Sequence, residues 1–158
     1  MRLLMLVTLL AALTAAGAAW AHGQQDGRNF NAVLQPAPGT PQDGSGMVKF
    51  RQAEDEDWIA YLHVRLQDLL PHHSYYLERA TDEMVDDDCT GANWLKLGQG
   101  TLAPVPIGTD ETGNGPALLF RDLSALQGRH FDIHFRVKDA TTDATVLVSD
   151  CYQFTVLQ

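Results

Sequence analysis

Beyond residue 29, apolar and polar residues alternate with a period of two along several short segments. In segment 58–66 the apolar side chains occupy every second position, and Tyr61, His63 and Arg65 lie between them. Segments 130–137 and 146–156 repeat this pattern. Such alternation is typical of strands with one buried face and one solvated face. No segment after residue 29 shows the 3.6-residue period of a helix.

Turn-forming residues divide these segments. Segment 35–46 is rich in Pro and Gly, and segment 109–115 combines Asp, Thr, Gly and Asn. The spacing gives about eight or nine short strands, at intervals typical of sandwiches. The chain is therefore predicted to be all-β, a single immunoglobulin-like β-sandwich, with one helical turn within 122–128.

The first 21 residues have the organisation of a secretory signal peptide. Met1-Arg2 supplies a basic start, 3–16 an apolar stretch, and 19–21 an A-x-A cleavage site. The apolar stretch is shorter than the about 20 residues of a membrane-spanning helix. We predict a signal peptide at 1–21, a mobile arm at 22–29 and the β-sandwich domain at 30–158, with a periplasmic or secreted location and no membrane span.

Charge narrows the classes of partner. The full chain carries a net charge of −9, with 11 basic and 20 acidic residues. Nucleic-acid backbones require clustered Lys and Arg, so nucleic acid is not an expected partner. No Gly-x-Ser-x-Gly elbow occurs. The sequence predicts a non-enzymatic module without a required cofactor that binds an extracytoplasmic protein or glycan, with a small secreted hydrolase as a more distant alternative.

The two cysteines, Cys89 and Cys151, both follow the signal peptide. An even pair in an exported domain indicates a disulfide rather than a metal or catalytic pair. The closed loop of 62 residues would contribute about 4 kcal/mol in the chain-entropy model.

A family resemblance rests on the first half of the domain and one late strand. The segments that carry it are Phe30-Asn31-Ala32-Val33-Leu34, Gly44-Ser45-Gly46, Met47-Val48-Lys49-Phe50, the strand 58–66, Leu69-Leu70-Pro71, and His134 within Phe131-Asp132-Ile133-His134-Phe135. This arrangement resembles secreted bacterial immunoglobulin-like, chordin-type (CHRD) β domains. The resemblance implies a non-catalytic extracytoplasmic module and specifies no ligand.

Cleavage after residue 21 would make His22 the first residue of the mature protein. An N-terminal amine and an imidazole on one residue chelate Cu(II), and a second imidazole completes a three-nitrogen site. His22-Gly23 resembles the start of lytic polysaccharide monooxygenases and periplasmic copper carriers. The candidates for the second imidazole are His63, His72, His73, His130 and His134. A periplasmic copper-binding protein that uses His22 is therefore the leading alternative to the binding module, and the competing interpretation of 22–29 is a polar arm that binds no metal.

Two further clusters are candidate cation sites. His130, Asp132 and His134 share one strand face, but at about 3.3 Å per residue the two histidines lie about 13 Å apart. The competing interpretation is the solvated polar face of an edge strand. A second candidate is an acidic loop with carboxylates suited to Ca²⁺, namely Asp82, Glu83, Asp86, Asp87 and Asp88. Its spacing matches no EF-hand, which favours a solvated loop.

The remaining features favour ordinary structural roles. His72-His73 follows Pro71 and is expected in a turn. The aromatic residues suggest either a carbohydrate or protein platform or core packing, and core packing is the preferred interpretation for most of them. This set comprises Trp58, Tyr61, Tyr75, Tyr76 and Trp94.

Overall fold

The structure is a computed structural model that describes residues 28–54, 57–100 and 103–158. The predicted signal peptide, 1–21, and His22 lie outside the described residues. Of the predicted arm, 22–29, only Arg28 and Asn29 are described, and Asn29 begins the first strand. Within these three ranges no helix is long and apolar enough to cross a membrane.

Ten strands make up the described domain. They are β1 (Asn29–Pro36), β2 (Ser45–Gln52), β3 (Ile59–Gln67), β4 (Ser74–Asp82), β5 (Leu95–Lys96), β6 (Ile107–Gly108), β7 (Gly115–Asp122), β8 (His130–Asp139), β9 (Thr145–Ser149) and β10 (Tyr152–Thr155). A single 3₁₀ turn at Ser124–Leu126 confirms the helical turn predicted within 122–128.

All named strand pairings are antiparallel, and they join the strands into one curled sheet in the order β5-β4-β8-β9-β1-β2-β3-β7. Strand β10 pairs with β8, and β6 pairs with β4. The curl places β1 and β2 opposite β8 and β10. Phe50 and Phe154 meet there with ring centroids 4.6 Å apart, and Phe30 lies 6.3 Å from Phe135. The prediction of an all-β fold is confirmed, and the curled antiparallel sheet is consistent with a β-sandwich or a barrel-like fold. The immunoglobulin-like type stays a prediction.

The period of two in β3 places its side chains as predicted. Ala60, Leu62 and Val64 are buried, whereas Tyr61 and His63 are exposed. Since burial of each large apolar side chain contributes about 1.5–3 kcal/mol, this alternation fixes which face of the strand points inward. Trp58 precedes the strand and packs against the core, as expected for it.

The strand count and one strand position differ from the sequence prediction. Ten strands occur in the described ranges instead of about eight or nine, because the two-residue β6 is too short to show a period and the predicted strand 146–156 is divided into β9 and β10. The edge-strand interpretation of 130–134 was wrong. Strand β8 lies inside the sheet, between β4 on one side and β9 and β10 on the other.

Candidate functional site

The outer face of β8 holds a loop of the same chain in place. This loop, 83–94, contains most of the predicted acidic cluster and is called the acidic loop below. The fully buried Asp132 accepts hydrogen bonds at its Oδ2 atom from the backbone nitrogens of Asp86 (3.0 Å) and Asp87 (2.8 Å). The Nε2 atom of His134 donates to the carbonyl oxygen of Gly91 at 3.0 Å. Two residues of the predicted metal-binding row therefore position the acidic loop.

Aromatic stacking extends this contact along β8. The ring centroid of Trp94 lies 4.5 Å from that of His134 and 4.0 Å from the guanidinium carbon of Arg136. Arg136 also donates from Nε to Oε2 of the buried Glu78 at 2.6 Å. Core packing thus does not account for Trp94, which instead covers the polar outer face of the sheet.

Two carboxylates of the predicted acidic cluster, those of Asp82 and Glu83, are engaged within the chain. Asp82 accepts at Oδ2 from the hydroxyl and the backbone nitrogen of Thr90 and from the backbone nitrogen of Gly91. These hydrogen bonds, led by that from the Thr90 hydroxyl, lower the pKa of Asp82. Glu83 forms an ion pair with Arg129.

No group of three or more His, Cys, Asp or Glu side chains in the described ranges is placed to hold a metal ion. His130 faces Thr155, with 2.8 Å between its Nδ1 atom and the Thr155 hydroxyl oxygen. His63 lies on β3, on the other side of the molecule's core. Because His22 lies outside the described residues, the copper hypothesis stays a prediction.

Cys89 and Cys151 form a disulfide, with their Cα atoms 5.4 Å apart. Cys89 lies in the acidic loop, and Cys151 lies between β9 and β10. The disulfide therefore ties the acidic loop to the last connection of the domain. A disulfide of this kind fits an oxidising compartment.

His73 lies in the predicted turn after Pro71, where its ring contacts the end of β8. Its Nε2 atom is 2.8 Å from Oδ2 of Asp139, whose side chain is 4% exposed. Burial raises the pKa of Asp139, but hydrogen bonds from the backbone nitrogens of Thr142 and Thr141 and from His73 outweigh this effect and lower the pKa. The raised carboxyl pKa that a hydrolytic acid needs is therefore not found in this pair.

The outer face of β1, β2, β3 and β7 is cationic and apolar. Cross-strand pairing aligns three rows of exposed or half-buried side chains: Val33, Met47, Arg65 and Pro116; Asn31, Lys49, His63 and Leu118; and Arg51, Tyr61 and Phe120. We call this surface the cationic face. The four strands contain a single acidic residue, Asp122, at the last position of β7.

Four large apolar residues of the cationic face are exposed to solvent. Leu118 and Val33 are each 49% exposed, Tyr61 37% and Met47 36%. Lys49 and Arg65 make no ion pair with any carboxylate in the described part of the chain. A shallow groove of about 590 Å³ runs between these side chains, from Met47 to Leu118. Cations and apolar side chains are thus both available to a partner.

Sequence reasoning identified the outward positions of β3 but not the cationic face. Period-two alternation shows that His63 and Arg65 point outward, yet it does not show which residues of β2 and β7 lie beside them. That alignment depends on cross-strand register, in which Lys49 pairs with His63 and His63 with Leu118. The only available signal was the lack of Asp and Glu in these segments of an acidic chain.

No protein-family model, curated protein or solved structure matches this chain.

Proposed function

We propose that the protein is an exported, non-enzymatic binding module whose cationic face docks an acidic protein partner. The observation that carries the proposal is the concentration of unpaired cations and exposed apolar side chains on one sheet face of a chain with a net charge of −9. Apolar patches rimmed by charge are typical of protein interaction sites.

Charge complementarity determines the kind of partner. The chain as a whole repels acidic molecules, but Lys49, Arg65 and Arg51 lie together and present positive charge locally. A partner with an acidic surface would be steered to this face and oriented there. The hydrogen bonds of Arg51 to Phe30 and Asn31 keep its guanidinium group in place on the sheet.

The apolar residues supply the other half of the interaction. Leu118 and Met47 flank the groove, and their burial by a partner would remove apolar surface from water. Because both lie on paired strands, they are held on a rigid surface before binding and little ordering cost remains.

The proposal is tested by affinity capture from an extracytoplasmic extract with the immobilised mature protein, followed by quantitative mass spectrometry. The face variant carries Arg65→Ser and Leu118→Ser. The control variant carries Met84→Ser and Val85→Ser, two exposed apolar residues of the acidic loop. Both variants change side chains at the surface, where substitutions alter stability by about 0.5 kcal/mol or less.

We expect one acidic protein that the wild type and the control variant retain at low salt and release at high salt, because salt screens such attraction. The face variant should retain at least tenfold less of it. The proposal is wrong if every captured protein binds the face variant as well as the control variant, or if capture is insensitive to salt.

A further inference from the structure

A cavity of about 380 Å³ lies between the two layers of the sandwich, at the end formed by β4, β7 and the segment after β7. Its walls are mostly apolar core side chains contributed by both layers. They include Phe50, Leu62, Phe131, Ile133, Phe135 and Phe154. Ligand pockets in proteins have volumes of about 300–1,000 Å³, so this cavity is large enough for a small molecule.

Two arginines occupy core-facing positions at this cavity. On β4, Arg79 follows Tyr75 and Leu77 in the inward alternation, and both of those residues are fully buried. On β7, Arg121 follows the fully buried Leu119 in the same way. Both arginines line the cavity. Both arginines thus occupy inward positions of their strands, and the preceding inward positions on the same strands hold buried apolar or aromatic side chains.

No carboxylate in the described part of the chain forms an ion pair with either arginine. Each makes only neutral hydrogen bonds there: Arg79 to the hydroxyl of Thr81 and Arg121 to the carbonyl of Gly100, both at 3.2 Å. Burial, and secondarily the positive charge of Arg121, lower the pKa of Arg79. Two half-buried cations that repel each other make a site with affinity for an anion.

The other charged residues around the cavity do not cancel the positive charge of the two arginines. Arg129 also lines it and is paired with Glu83. Asp122 accepts a hydrogen bond at Oδ1 from the backbone nitrogen of Ser124 at 2.8 Å, and the hydrogen bonds of Ser124 and, to a lesser extent, the charge of Arg121 lower the pKa of Asp122. Counting all five residues, three cations face two carboxylates. The local charge is positive although the whole chain is acidic.

We propose that this cavity binds a small amphipathic carboxylate, with the carboxylate between the guanidinium groups of Arg79 and Arg121 and the apolar part among the aromatic side chains. Guanidinium groups bind carboxylates through paired hydrogen bonds that are stronger than neutral ones. The modest volume selects a medium-chain fatty acid or an aromatic acid over a longer lipid. This site is separate from the cationic face, because Arg79 and Arg121 point inward.

Calorimetric titration with decanoate, with decanol as the matched neutral ligand, tests the proposal on the mature wild-type protein. Decanoate should bind with a stoichiometry of one and at least tenfold more tightly than decanol. Equal binding of the two ligands, or no binding of decanoate below its aggregation limit, would overturn the proposal. This comparison needs no variant and is therefore independent of any folding defect.

Variants then assign the site to the two arginines. Arg79→Gln and Arg121→Gln should each weaken decanoate binding at least tenfold and leave decanol binding unchanged. Arg65→Gln, an unpaired arginine on the cationic face, is the matched control and should bind decanoate like the wild type. Since Arg79 is half-buried without a carboxylate partner, Arg79→Gln should keep or raise the thermal midpoint. Unchanged decanoate affinity in both cavity variants, or an equal loss in Arg65→Gln, would contradict the assignment.

Discussion

The Nε2 atom of His73 donates a hydrogen bond of 2.8 Å to Oδ2 of Asp139, across 66 positions of the sequence. The contact joins the turn before β4 to the last residue of β8. Oδ1 of Asp139 accepts from the backbone nitrogens of Thr141 and Thr142, both within 2.9 Å. One buried carboxylate thus fixes two connections at the same end of the sandwich.

The lowered pKa of Asp139 makes its contribution to stability dependent on pH. A group with a folded-state pKa below the unfolded value of about 3.9 stabilises the protein above that value and loses this contribution as the pH falls through the folded pKa. Asp139→Asn should reduce the free energy of unfolding by about 1–3 kcal/mol near neutral pH. The difference from wild type should shrink below about pH 4, as measured by urea denaturation across pH 3–7.

Glu111→Gln provides the control for this pH series, because Glu111 is an exposed carboxylate in the turn between β6 and β7. Its substitution should leave the pH dependence unchanged. A difference between wild type and Asp139→Asn that stays constant down to pH 3 would contradict the role given to Asp139.

Asp132 is expected to determine how firmly the acidic loop is held. Asp132→Ala removes the acceptor of both hydrogen bonds from the backbone nitrogens of Asp86 and Asp87. Hydrogen exchange at these two amides should accelerate at least tenfold, with exchange in β3 much less affected. Asp88→Ala, which removes an exposed carboxylate of the same loop, should leave both amides as slow as in the wild type. Equal exchange in the two variants would count against this role.

Among the ion pairs of the described residues, the one between Glu78 and Arg136 should cause the largest loss in the free energy of unfolding when one partner is removed. The side chain of Glu78 is 5% exposed and that of Arg136 22%. Loss of one partner of a buried pair costs about 3–5 kcal/mol, and the stacking of Arg136 on Trp94 reduces this cost. We expect Glu78→Gln to lower the free energy of unfolding by about 2–3 kcal/mol in urea denaturation.

The matched control for that variant is Glu54→Gln. Glu54 pairs with Arg28 at 3.0 Å, but its side chain is 74% exposed, so its loss should cost less than about 1 kcal/mol. If the two substitutions lower the free energy of unfolding by comparable amounts, burial does not determine how strongly the ion pair of Glu78 stabilises the domain.

Reduction of the disulfide should destabilise the domain substantially. A closed loop of 62 residues corresponds to about 4 kcal/mol in the chain-entropy model. Thermal unfolding with and without a reductant should show a large fall in the midpoint for the wild type. The double variant Cys89→Ser, Cys151→Ser should unfold at the lower midpoint under both conditions. A wild-type midpoint that is insensitive to complete reduction would refute this prediction.

The sequence predicted the strands and the orientation of their side chains. It predicted less well which strands and loops lie next to each strand. The alternation in β3 and β8 is a local property that each strand shows by itself, so the inward residues of β3 could be identified. For β8 the same alternation was misread as an edge strand. Asp132 and His134 are polar because a loop of the chain covers them, and a solvated face would have the same residue pattern.

Local physical rules in the sequence therefore determined the all-β class, the main strands, the turn at His72-His73 and the pairing of Cys89 with Cys151. The period of two and the turn-forming residues are properties of short segments, so each can be recognised without knowledge of the rest of the fold. Two cysteines allow only one pairing within the chain. Cross-strand register and the packing of the two layers were decided only by the tertiary structure. Register aligns Lys49, His63 and Leu118 on one face, and layer packing brings Arg79 of β4 near Arg121 of β7. Both candidate sites are formed by residues that are far apart in the sequence. These residues come close together only because all the strands pair and pack around one core.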